Sequence, residues 1–201
     1  MILVPDDDYE KSMQEHIERF IAMLWDIGLN VGHCVRTVER ALQESAKDIT
    51  VQTALLEARC FWGNASLFDQ LQKDFSKTLD PAAFFRAKEL ERTQRHLKHE
   101  DTPYELEPNI KESPGGLRDL QFVFWCSHAA GLGATPDEML ATGTLHEQEA
   151  YQLKEVYHSL KSIRIYLHLI AKRHQDRLIF DIQTPLAIAA GYKDSASQLA
   201  G

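Results

Sequence analysis

The densest run of residues able to do chemistry is Glu107-Pro-Asn109-Ile-Lys111-Glu112-Ser113-Pro-Gly115-Gly116-Leu-Arg118-Asp119. Two adjacent glycines let backbone N–H groups come close to a ligand. They stand at the start of an expected helix, where unpaired N–H groups and the dipole favour anions. Lys111 and Arg118 add positive charge on either side, and an arginine grips phosphate oxygens through two parallel hydrogen bonds. Glu107, Glu112 and Asp119 offer carboxylates for a hard cation such as Mg²⁺, or for orienting the two basic residues. Together these are the parts of a triphosphate pocket. The plainer reading of the same letters is a Ser-Pro-Gly-Gly turn ahead of a helix, with Arg118 and Asp119 solvated on its first turn. The run matches neither the P-loop nor the dinucleotide-binding fingerprint.

Other candidates are weaker. His33 and Arg36 fall on an extended stretch and are possible pocket-lining residues; the competing reading is a structural histidine and a surface arginine. Glu57 and Arg59 read as a helix-face ion pair. Trp125 and Cys126 read as core, and Phe61-Trp62 and Phe84-Phe85 as packing between the two subdomains rather than a ligand platform. Nine histidines invite a metal reading. His96 and His99 are three apart, not the four of a zinc helix, and His168 and His174 are too far apart for one helix face. Metal binding by histidine is therefore not expected, and no metal ligand is assigned within the chain.

The elements that must position these residues follow from periodicity. Met1 to Val4 is a short apolar run ending at Asp6-Asp7-Asp8, which reads as a strand followed by a helix cap. Ile17, Phe20, Ile21, Leu24 and Ile27 continue at helical spacing to Gly28. Residues 29–36 read as extended and 37–46 as helical. A helix is expected from Asp48 to a stop at Gly63, another from Asn64 to Lys77, and another from Asp80-Pro81 to about Lys98. Residues 99–117 hold three of the seven prolines and break the pattern; a connection of that length is ordered or functional. Helices follow from Leu117, from Thr135-Pro136 and from a Thr144/Glu147 capping box. The last of these carries a long apolar stripe to about Lys172. A final helix is expected at 186–190.

The chain has 201 residues, 22 basic and 30 acidic, for a net charge of −8. That balance argues against a general nucleic-acid binder. An apolar content of 44% supports a packed core rather than disorder. The apolar runs are too short to span a bilayer. Three widely spaced cysteines, Cys34, Cys60 and Cys126, form neither a disulfide framework nor a zinc signature, so a reducing cytoplasm is the expected setting. The strand at the very start needs sheet partners, so the chain is expected to be a piece of something longer.

The fifteen residues from Leu106 to Leu120 closely resemble the signature loop of bacterial [protein-PII] uridylyltransferase/uridylyl-removing enzymes. Val31-Gly32-His33-Cys34-Val35-Arg36-Thr37, Thr50 to Thr53 running into Leu55-Leu56-Glu57-Ala58-Arg59, and Arg177-Leu178-Ile179-Phe180-Asp181 fit the same family in the same order. Glutamine synthetase adenylyltransferases carry a similar Gly-Gly-x-Arg-Asp element. The resemblance implies α+β structure in residues 1–79, the tail of a nucleotidyltransferase fold, followed by an all-α helical bundle in 80–201, the whole predominantly helical and cut before an HD domain. It implies transfer of UMP from UTP to a tyrosine of the PII nitrogen regulatory protein, with removal in response to glutamine. It implies nucleotide binding by Lys111, Gly115, Gly116, Arg118 and Asp119, with Asp119 orienting Arg118 or touching the metal. The family's Gly-Gly-Tyr-Gly-Arg turn and Ser-Asp-x-Asp-Leu strand, which hold its Mg²⁺, are not in this sequence, and no His is directly followed by Asp. The chain alone is therefore expected to be inactive, with no catalytic residue of its own. The alternatives are a non-catalytic helical module that docks PII or a neighbouring domain, and an adenylyltransferase relative.

Overall fold

The computed structural model describes residues 1–99 and 105–192. Residues 100–104 of the proline-bearing connection, and 193–201 of the expected helical domain, lie outside the described residues. The chain divides into two compact units, Met1–Asp80 and Pro81–Gly201.

The first unit opens with β1 (Ile2–Leu3), α1 (Asp7–Asp26) and β2 (Val35–Arg36). The strands pair in parallel, Ile2 with Val35 and Leu3 with Arg36, so α1 is the crossover that parallel pairing requires. Val4 is buried directly after β1. Asp6 caps α1 by accepting from the Tyr9 N–H at 2.7 Å, and three acids in the first turn suit the helix dipole. Then come α2 (Val38–Ser45), α3 (Ile49–Leu56) and α4 (Ala65–Thr78), which bury Ala41, Leu55, Leu56, Leu71 and Phe75.

Helix α3 stops at Leu56, seven residues short of the expected Gly63. Beyond it Phe61 and Trp62 are 94% and 91% exposed. With no apolar surface to pack on, local propensity does not carry the helix further. Neither ring packs into the core of its own unit. The extended stretch 29–36 likewise contracts to a two-residue strand.

The second unit is all helical among the described residues: α5 (Pro81–Leu97), α6 (Leu117–Ala129), α7 (Pro136–Ala141), α8 (Glu147–Ala171) and α9 (Phe180–Ala189). The α5–α6 layer buries Phe84, Leu117, Phe122 and Trp125. Cys126 is half-buried beside it, and desolvation pushes its thiol up to about 11, so it is a poor nucleophile. Leu167 on α8 and Ile182 and Leu186 on α9 form a second core, against which Ile110, Ile163 and Leu178 pack.

Two helix starts differ from expectation. Helix α8 is capped at His146, whose N–H donates to Glu149 Oε2 at 2.8 Å. The Thr144 hydroxyl is engaged instead with Thr142, at 2.9 Å. Helix α9 begins at Phe180 and contains Pro185, rather than starting after it. Ile182 and Leu186, four apart, are both held against Leu167, and this packing carries the helix through the proline. No helix of the described residues is long and apolar enough to cross a membrane.

Candidate functional site

The loop ahead of α6 is built by its own polar side chains. Asn109 Oδ1 accepts from the N–H of Lys111 at 3.0 Å and of Glu112 at 2.9 Å. The buried Ser113 hydroxyl accepts from Asn109 N–H at 2.9 Å, while Ser113 N–H donates back to the Asn109 carbonyl. Gly115 supplies the left-handed turn, with φ +78°. At Gly116 a Cβ would lie 2.8–2.9 Å from the carbonyl oxygens of Ile110, Lys111 and Ser113, so only glycine lets the loop close on itself.

That closure uses the helix start. The N–H groups of Gly116, Leu117, Arg118 and Asp119 donate to the carbonyls of Ser113, Ile110, Lys111 and Gly116. Gly115 N–H donates to Asp119 Oδ2 at 2.7 Å. The glycines therefore shape the turn, and their N–H groups are turned to acceptors of the chain itself. Positive charge at this site comes from side chains.

Those side chains form one network. Glu112 Oε1 faces Lys111 Nζ at 3.2 Å and Arg118 Nη2 at 3.4 Å, and its Oε2 lies 3.9 Å from Arg95 Nε. Arg118 also donates to Gln121 Oε1 at 3.0 Å and lies over the Trp125 ring at 5.4 Å. Asp119 is held by a close ion pair with Arg95, by His96 Nε2 at 2.9 Å and by Gly115. Asp119 thus orients Arg95 and the turn, while Glu112 and Gln121 orient Arg118. Consecutive residues on a helix point about 100° apart, which separates Asp119 from its neighbour. Three fixed cations, Arg95, Lys111 and Arg118, face two carboxylates, Glu112 and Asp119, a local positive excess in an acidic chain. Behind them the buried Lys88 lies 4.5 Å from the Trp125 ring and pairs with Glu91 at 2.6 Å.

The carboxylates suggested for a hard cation do not form a cage for one. Glu112 and Asp119 are committed to basic partners, as above. Glu107 Oε1 accepts from the Phe180 N–H at 2.9 Å and so caps α9. Among the described residues no group of three or more His, Cys, Asp or Glu is placed to hold a metal ion. His33 and Arg36 lie in the first unit: His33 meets the Trp25 ring edge-on at 5.4 Å, and Arg36 lies 3.9 Å from Glu44.

Reading the sequence missed Arg95 and weighed His96 only as a metal ligand; their signal for this site was basic charge in the last turn of a helix. It also missed how firmly the segment after α8 holds the loop. Ile110 N–H donates to the Asp176 carbonyl at 2.8 Å and Leu178 N–H to the Pro108 carbonyl at 2.9 Å, and Asn109 and Arg177 form an antiparallel bridge. Arg164 binds Asp176 through Nε at 2.6 Å, and His168 Nε2 lies 2.9 Å from it. Burial pushes the Asp176 carboxyl up, but bonds from Arg164 and His168 and the charges of Arg164 and Lys111 outweigh it and hold it below its ordinary range. His168 and His174, read as too far apart for one helix face, meet edge-on at 5.3 Å across the turn after α8.

Known proteins are similar to this sequence. The family described as GlnD PII-uridylyltransferase matches residues 83–201. A bifunctional uridylyltransferase/uridylyl-removing enzyme of Cupriavidus pinatubonensis is 54% identical over 92% of the chain and 21% of its own length. Those of Burkholderia thailandensis and Burkholderia mallei are each 47% identical over 100% of the chain and 23% of their own length. The chain thus spans about a fifth of the relatives it matches, and no solved structure matches it. With the loop from Leu106 to Leu120 inside the matched region, this chain belongs to the PII-uridylyltransferase family.

Proposed function

We propose that this chain serves as part of a bifunctional enzyme that moves UMP from UTP to a tyrosine of PII and removes it in response to glutamine, in the cytoplasm. Residues 1–79 act as the rear of a nucleotidyltransferase domain and 80–201 as its helical companion. The observation that carries the reading is the cationic cluster that Lys111 and Arg118 of the signature loop form with Arg95 at the end of α5. Lys111 and Arg118 exchange Glu112 for the UTP triphosphate, whose greater charge makes it the stronger partner. Gly115 and Gly116 hold the turn in shape, and Asp119 fixes it from below through Gly115. Mg²⁺ belongs to the aspartate pair that the family carries on another stretch of sequence, and no step is assigned to it on Glu107, Glu112 or Asp119.

A second reading is favoured by the occupied N–H groups at the start of α6. On that reading the loop is structural, and the unit docks PII or a neighbouring domain without touching nucleotide. A chimaera tests the whole reading: residues 1–201 replace the matching stretch of the Cupriavidus relative. The expected result is UMP transfer to PII by the chimaera, none by the 201-residue chain alone, and UTP preferred to ATP. Transfer by the chain alone, or a preference for ATP, contradicts it.

A further inference from the structure

A half-open cavity of about 130 Å³ lies between α6 and α8. Leu117 and Gln121, four apart on α6, form one wall. Tyr157, Lys161, Arg164, Ile165 and His168, one stripe of α8, form the other. No carboxylate lines it. Asp176 answers part of the charge, binding Nε and Nη2 of Arg164 and Nε2 of His168.

Four donors remain without an acceptor among the described residues. Lys161 Nζ rests 4.7 Å from the centre of the Tyr157 ring, whose face attracts the cation but offers no oxygen or nitrogen acceptor. Arg164 keeps Nη1 after giving Nε and Nη2 to Asp176. The Tyr157 hydroxyl is unpaired, its ring meeting Phe124 edge-on. Gln121 turns its oxygen to Arg118; a guanidinium only donates, so the amide nitrogen of Gln121 is the end left over. An acid-free recess with four such donors is complementary to an anion with several oxygens. Its volume matches about four waters at roughly 30 Å³ each, and falls short of the roughly 300 Å³ at which pockets for drug-sized ligands begin.

We infer that this cavity binds a small oxyanion of the phosphate class, at a site distinct from the side chains assigned to nucleotide. Gln121 lies between the two: its oxygen orients Arg118 and its side chain lines the cavity. An anion held here therefore steadies the residue that steadies Arg118.

Calorimetric titration of the 201-residue chain with inorganic phosphate at low ionic strength tests this, with thermal melts confirming that each variant folds. Saturable one-site binding is expected. Lys161→Ala should weaken it about tenfold, the loss of one charge-assisted bond, and Tyr157→Phe, which keeps the ring, by a smaller factor. Lys154→Ala, a lysine of the same helix paired with Asp137, should leave it unchanged. Absence of saturable binding, equal affinity in the wild type and both cavity variants, or an equal loss in Lys154→Ala would overturn the inference.

Discussion

Asp119 and Gly116 do different work from what their letters suggest. A carboxylate beside a double glycine reads as a metal ligand or as the partner of the next-door arginine. In the fold it takes Arg95, His96 and the Gly115 N–H at once, which leaves little lone-pair capacity for a cation. Gly116 was legible as special, and the structure adds a contact that spacing did not show: it makes room for three carbonyls of its own loop. Gly116→Ala should therefore cost about 1–3 kcal/mol, as over-packing against fixed backbone does. Urea unfolding of the two proteins measures the loss; an unchanged midpoint would show that the loop opens without cost. The pairing of Arg95 and His96 with Asp119 was invisible in sequence because it spans more than twenty residues, and helical periodicity reports only neighbours along one element.

Helix starts were legible where the cap is local. Asp6, Asp48 and Asn64 each accept from N–H groups two or three residues on, and Pro81 and Pro136 sit at first positions. They were illegible where a distant residue decides. Helix α9 takes its first acceptor from Glu107, seventy-three residues earlier, and its packing from Leu167, so a rule about proline alone misplaces it. The same segment ties the signature loop to α8 through Asp176. Because the folded Asp176 carboxyl ionises below its ordinary range, its contribution is present above about pH 4, the unfolded value, and is lost as pH falls through the folded one. Unfolding followed from pH 6 to pH 2 should show wild type more stable than Asp176→Asn at the upper end and the gap closing at the lower end. A gap that persists unchanged to pH 2 contradicts this.

At the scale of the whole molecule, composition described the average and concealed the exception. A net charge of −8 spread over 201 residues argues against a general nucleic-acid binder. It says nothing of the place where one loop meets the end of α5 and three cations face two carboxylates. The predominantly helical character was legible from amphipathic spacing. The small parallel pair β1–β2 was half legible, because Met1–Val4 carries a strand signal and residues 29–36 a diffuse one that resolves to two residues only through pairing. Membership of the family rests on matches that span this chain but about a fifth of each relative, so the loop's role is best tested in the longer context. The most direct measurement is UTP affinity of the chimaera, taken with wild-type loop, Lys111→Ala and Arg118→Ala. Each substitution should weaken UTP by roughly tenfold to a hundredfold, the worth of a charge-assisted hydrogen bond, with the fold retained. Unchanged affinity in both variants would contradict the assignment of this loop to the triphosphate.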